Sequence, residues 1–127
     1  MFKECLLVGL GSALGGVLRF AMIQLGARLF SGTVLPVGTW MANILGSFLI
    51  GWCAAWLSQA PRALEYPWIS PLIMVGVLGG FTTFSSFSLQ TLALAREGSL
   101  GAAALNVVVS LFACLTAVWT GYRLGST

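Results

Sequence analysis

The chain has 127 residues, 58% of them hydrophobic and 7% charged, with a net charge of +3 and a mean hydropathy of +0.98. Values this far from those of a water-soluble domain make it an integral membrane protein. Histidine is absent and the three acids, Glu4, Glu65 and Glu97, all fall at the ends of apolar segments, so no general acid/base pair or Ser/His/Asp set can be assembled and catalysis is not expected.

The charged residues punctuate the chain. Arg28 to Arg62 encloses 33 uncharged residues, Glu65 to Arg96 encloses 30, and Glu97 to Arg123 encloses 25. Each interval holds a helix of about 20 residues, the length that a hydrocarbon core of about 30 Å requires. The first segment, Cys5 to Ala27, is broken only by Arg19. These intervals predict an all-α integral membrane protein: one domain over 1–127, with four transmembrane helices near 5–27, 38–58, 69–95 and 99–122.

Within the first segment, Arg19 and five glycines make a poor signal-peptide core, so a retained helix is expected. Gly11 and Gly15 have GxxxG spacing, as do Gly76 and Gly80 in the third segment, which suits close helix packing. Cys5, Cys53 and Cys114 are odd in number and scattered through apolar sequence, so they suggest neither a disulfide framework nor a metal site.

The second segment carries Thr39, Asn43 and Ser47 four residues apart, on one helical face. The fourth repeats the pattern with Asn106, Ser110 and Cys114. Polar groups at membrane depth must find partners there, so the two stripes read either as helix-to-helix glue or as the lining of a narrow path.

The third segment contains "GGFTTFSSFS", Gly79 to Ser88, a run without strong helix formers. It predicts a break in the helix near Gly79 to Thr83. The freed carbonyls would have to be buried or directed at water or an ion. At a two-fold axis, two such turns could coordinate a small cation. Beyond the break, Phe84 and Phe87 share a face, with Thr83 and Ser86 close by. A phenyl edge is weakly positive and hydroxyls donate hydrogen bonds, so this face suits a small anion that must bind and then leave.

Orientation is set by Lys and Arg in short loops. With four spans, one face collects Lys3, Arg62 and Arg123 and the other Arg28 and Arg96, which is almost no bias. A chain free to insert both ways can form an antiparallel, dual-topology homodimer, so a second copy is the expected partner besides the lipid bilayer. No nucleic-acid partner is expected.

Together, "GGVLRF", "GTWMANILGSFLIG" and "GVLGGFTTFSSFS" resemble the Fluc (CrcB-type) fluoride channel family, and the resemblance covers the whole chain. It implies a passive, fluoride-selective channel in a bacterial cytoplasmic (inner) membrane, built as an antiparallel dimer with two pores. Hydrogen fluoride enters neutral and dissociates, and the trapped ion leaves through the channel.

By position, the resemblance places Asn43, Ser110 and either Ser86 or Thr83 on the pore, and makes Phe84 and Phe87 the ladder along which fluoride passes. It assigns the backbone carbonyls of Gly79 and Thr82 to a structural sodium at the dimer centre, and gives Arg19 a vestibule or structural role. Thr39 and Asn106 complete the candidate path from their stripes. The chain departs from the family pattern at Gln90, where an acid is common, at Asn106, where an aromatic or His is common, and at Cys114, where Ser is common.

Two other classes compete. A small four-helix multidrug exporter needs an acid inside the membrane, and none here lies away from a segment end. A structural membrane subunit predicts no ion flux from the purified chain.

Overall fold

Four helices long and apolar enough to cross a bilayer make up the computed structural model, which describes residues 1–59 and 61–127 and contains no strand among them. The first crossing is α1, Phe2–Leu29, and the second is α2, Val37–Ser58. A short α3, Arg62–Glu65, lies in the connection that follows. The third crossing, Ser70–Arg96, is composite. It is wound as a π-helix over Ser70–Leu78, tightens into α4, Gly79–Phe81, and resumes as α5, Phe84–Arg96. The fourth is α6, Leu100–Gly125.

Between α4 and α5 the backbone is extended at Thr82 (φ −82°, ψ 156°) and Thr83 (φ −153°, ψ 116°), so helical geometry is lost for two residues while Gly79 itself stays helical. Thr83 then caps α5, its hydroxyl accepting from the Ser86 N–H at 3.1 Å, the usual way a Thr opens a helix. The turn from α5 into α6 needs Gly98, whose φ of +82° an L side chain would resist.

At 28 residues α1 is about 42 Å long, more than the bilayer core, so it crosses tilted or reaches past the core at its ends. Its first turn extends outward to Phe2, where Glu4 pairs with the terminal amine at 3.2 Å.

Packing is inverted relative to a soluble protein. Leucines, valines and phenylalanines cover the outside, including Leu10, Val17, Phe20, Leu92, Phe112 and Leu115. Among the described residues the largest fully buried side chains are polar, Asn106 and Thr39. In lipid there is no gain in hiding leucine, and helices meet where side chains are small or can hydrogen-bond.

Glycine makes these meetings possible. The two GxxxG pairs face each other: a Cβ on Gly11 or Gly15 would strike the carbonyls of Leu72 or Val77, and one on Gly76 or Gly80 would press back on Gly11 or Ser12. The α2–α6 seam is built the same way, with Gly51 against the Val118 carbonyl, and Gly121 and Gly125 against those of Phe48 and Trp52. Gly26 and Gly38 bring α1 onto α2.

Both chain ends lie on one face of the bundle. There Trp56 stacks with Tyr66 at 5.6 Å between centroids, and the Arg62 guanidinium lies 4.7 Å over Trp56. On the end of α6 that reaches the same face, Arg123 lies 5.8 Å over Trp119. Of the five tryptophans, only Trp40 starts a helix at the opposite face.

Candidate functional site

The polar centre grows out of the two extended residues. Once Thr82 and Thr83 leave the helix, their backbone groups need new partners at membrane depth. Asn43 supplies them for Thr83: its Oδ1 accepts the Thr83 N–H at 2.7 Å, and its Nδ2 donates to the Thr83 carbonyl at 3.1 Å. A carboxamide carries one acceptor and one donor in the spacing of a peptide group, so a single side chain replaces what a neighbouring strand would give. Only one orientation of the amide satisfies both ends.

The consequence falls on Gly79. Thr83 stands four residues after it and would be its helical donor, but donates to Asn43 instead. The Thr82 hydroxyl and N–H both turn back to the Leu78 carbonyl at 3.0 Å, while the Thr82 carbonyl accepts Arg19 Nη1 at 3.4 Å. Arg19, in the middle of α1, is thus directed inward at the interruption.

Beside this turn lies a cavity of about 310 Å³ whose lining carries no charged side chain. α2 contributes Asn43 and Ser47, the third crossing Thr82, Thr83, Phe84 and Phe87, and α6 Ser110 and Cys114. Hydroxyl and amide groups share the lining with leucines and the two rings. Phe84 and Phe87 sit 5.3 Å apart with planes tilted by 51°. Phe84 is 76% exposed, so few protein contacts depend on its ring.

Of the residues singled out by sequence, Asn43, Thr83, Phe84, Phe87 and Ser110 border this cavity, and so does Thr82. Ser86 lies one bond behind, its hydroxyl 3.1 Å from Thr83 Oγ1. Gly79 is on the outer surface, and a Cβ there would meet only the Met74 carbonyl, at 3.8 Å.

Thr39 and Asn106 are elsewhere. Thr39 is buried and accepts from Gln90 Nε2 at 2.9 Å, and both residues border a second, separate cavity of about 380 Å³ under the α1–α2 connection. Gln90 Oε1 is buried there without a hydrogen-bond partner.

Asn106 is fully buried behind the main cavity, with every polar group engaged. Its Oδ1 accepts Trp40 Nε1 at 2.6 Å and Ser110 Oγ at 3.4 Å, and its Nδ2 donates to Thr91 Oγ1 at 2.8 Å. Spacing on α2 and α6 did not single out Trp40 or Thr91. The available signal was that Thr83, Phe87 and Thr91 follow one another by four on one face.

What this arrangement can do follows from its charge. A cavity with hydrogen-bond donors and ring edges, but no fixed cation, offers a small anion partial positive charge without a deep trap. The lining has no carboxylate that could couple movement to protons.

Comparison with known proteins agrees in extent. Residues 6–122 match the family model described as CrcB-like protein, Camphor Resistance (CrcB). A protein named fluoride-specific ion channel FluC from Opitutus terrae is 50% identical over 117 residues, 92% of this chain and 88% of that one. Its namesake from Paramagnetospirillum magneticum is 49% identical over 116 residues, 91% of this chain and 90% of that one. The one from Aeromonas salmonicida is 43% identical over 119 residues, 94% and 93% of the two chains. With a family match across almost the whole sequence and relatives covered nearly end to end, the chain belongs to the CrcB-like family.

Proposed function

We propose that the protein is a fluoride-selective channel that lets fluoride leave the cytoplasm of a bacterium passively, across the inner membrane. The observation that carries the reading is the uncharged cavity whose lining brings together Asn43, Thr83, Ser110, Phe84 and Phe87, in a chain whose relatives bear the name of fluoride-specific channels.

Fluoride is small and strongly hydrated, so a path for it must replace water with donors that hold it briefly. The Ser86 hydroxyl and the second Asn43 Nδ2 hydrogen are free to donate, the Ser110 and Thr83 hydroxyls can swing to the ion from Asn106 Oδ1 and Ser86 Oγ, and the edges of Phe84 and Phe87 carry the ion between them. No step needs an energy source. Hydrogen fluoride enters neutral and dissociates in the less acidic cytoplasm, and an inside-negative potential drives the ion out with about 2.3 kcal/mol per 100 mV. Such a channel protects the cell from fluoride and performs no catalysis.

The working unit is an antiparallel, dual-topology homodimer with one pore per protomer. Support comes from the near-equal charge of the two faces and from the outward Gly79, which leaves its surface open to close approach. The carbonyls of Gly79 and Thr82 suit a structural sodium at the two-fold axis. Both are hard oxygen donors, and Gly79 has lost its helical donor to Asn43. Two oxygens alone are a poor cage for such a hard ion; the same pair from a second copy would bring the set to four. That ion would tie the two interrupted crossings together, with Arg19 steadying the Thr82 carbonyl.

The test is ion efflux from liposomes holding the purified protein, with valinomycin to balance charge and chloride as the paired control. Rapid fluoride release with little chloride movement is expected. Silence from folded, dimeric protein would favour a structural subunit, and proton-coupled export of an organic cation would favour the small multidrug exporters.

A further inference from the structure

Asn106 lies outside the path and yet is bonded to both of its walls. Ser110, which borders the cavity, donates to Asn106 Oδ1 at 3.4 Å. From Nδ2 the connection runs at 2.8 Å to Thr91 Oγ1, and from that hydroxyl at 2.8 Å to the carbonyl of Phe87, which also borders the cavity. Trp40 fixes the direction of this relay. An indole N–H can only donate, so its 2.6 Å bond makes the facing atom of Asn106 the oxygen and turns the amide nitrogen toward Thr91.

Three crossings therefore meet at one buried carboxamide: α2 through Trp40, the third through Thr91, and α6 through Asn106 itself. The Thr91 hydroxyl, bonded back to a carbonyl four residues earlier, is a local contact that bends a helix, and an amide donating to it strengthens and orients that bond. The first turns of α5 follow an interrupted backbone, so their rotation is not inherited from the helix before them. Something must set it, since it decides where the Phe84 and Phe87 edges point.

We propose that Asn106 is a positioning residue for conduction: it does not meet the ion, but through Thr91 it sets the rotation of the Phe87 turn and through its oxygen holds Ser110 opposite. This rests on the fluoride-channel reading for its flux arm alone. Asn106 and Thr91 act in series, so loss of either breaks the same relay.

Thr91→Val keeps the shape and removes the hydroxyl, Thr91→Ser keeps the hydroxyl, and Asn106→Leu removes the amide. Fluoride efflux about five- to tenfold below wild type is expected for Thr91→Val and for Asn106→Leu, the factor one net hydrogen bond represents. Thr91→Ser should conduct like wild type, and the double variant Asn106→Leu/Thr91→Val should lose no more than either alone. Wild-type flux in Thr91→Val overturns the proposal, as does a double variant whose losses multiply.

Hydrogen exchange over residues 84–91 reads the relay without transport. Protection should fall in Thr91→Val and stay in Thr91→Ser. Unchanged protection in Thr91→Val would overturn the positioning role even if Asn106→Leu fails to fold. Wild-type protein that moves no fluoride yet shows the expected exchange pattern would sink the channel reading and leave the positioning intact.

Discussion

Asn43 offers the sharpest test of how the centre is built, because its two ends can be removed separately. In Asn43→Leu both the Thr83 N–H and the Thr83 carbonyl lose their partners. Leaving a buried backbone group unpaired costs about 1–3 kcal/mol. Polar contacts measured within a membrane bundle are weaker, about 0.6 kcal/mol each. Two contacts thus bracket the loss between about 1 and 6 kcal/mol.

Asn43→Asp differs in kind. The acceptor for the Thr83 N–H stays at its 2.7 Å position while the donor to the carbonyl is lost and a negative charge is added. An anion about 4 Å from that charge meets a repulsion of about 4 kcal/mol at an effective dielectric constant of about 20, close to a thousandfold in occupancy. Leu should therefore lower the melting temperature of the purified protein more than its other properties suggest, and Asp should nearly abolish fluoride efflux from liposomes in protein that still elutes as a single species. Asp at wild-type flux would remove Asn43 from the path, and Leu at an unchanged melting temperature would refute the clamp.

Other expectations follow from the same geometry. Phe84→Ile and Phe87→Ile keep bulk and lose the ring edge; because Phe84 is 76% exposed, its replacement should cut efflux with little change in thermal stability, and equal efflux would return the rings to packing. Gly51→Ala and Gly121→Ala drive a methyl into the carbonyls of Val118 and Phe48 across the α2–α6 seam, a strain of about 1–3 kcal/mol that detergent melting should register, whereas Gly9→Ala meets nothing within 4 Å and should melt like wild type or slightly higher. Replacing sodium by a bulky organic cation should shift purified protein from dimer toward monomer in light scattering if the Gly79 and Thr82 carbonyls of two copies share an ion; a dimer indifferent to the exchange would argue against that site.

The four crossings could be read from the sequence because charges are so few that each uncharged interval is nearly forced to span. Stripe spacing singled out Asn43 and Ser110, which border the main cavity, and the run GGFTTFSSFS contains Thr82 and Thr83, whose backbone is extended. Spacing gives a face and not a depth, however. Thr39 and Asn106 share faces with Asn43 and Ser110 but are sealed by Gln90 and by Trp40 with Thr91, partners 51, 66 and 15 residues away. No local pattern announces such partners. The interruption also falls at the threonines and not at the glycines before them. Gly80 is there to let α1 approach, and the extended backbone begins only where Asn43 can take over the Thr83 N–H. The π winding of Ser70–Leu78 left no sequence signal beyond Pro71 at its start.

The stacked aromatics at the face shared by the two termini bear on how the chain enters a membrane. Trp56, Tyr66 and Trp119, two of them under an arginine, suit the headgroup layer, where an indole keeps its ring in the apolar zone and its N–H near water. Such rings are enriched at both membrane surfaces, so they hold a helix at a given depth without reading which side is the cytoplasm. Lysine and arginine in the loops do read it, and here they nearly cancel. Vertical registration and sidedness are thereby assigned to different residues. A substitution in the ring cluster should let the bundle ride up or down in the bilayer, whereas one added lysine in a loop should bias which way up it is inserted while leaving its depth alone.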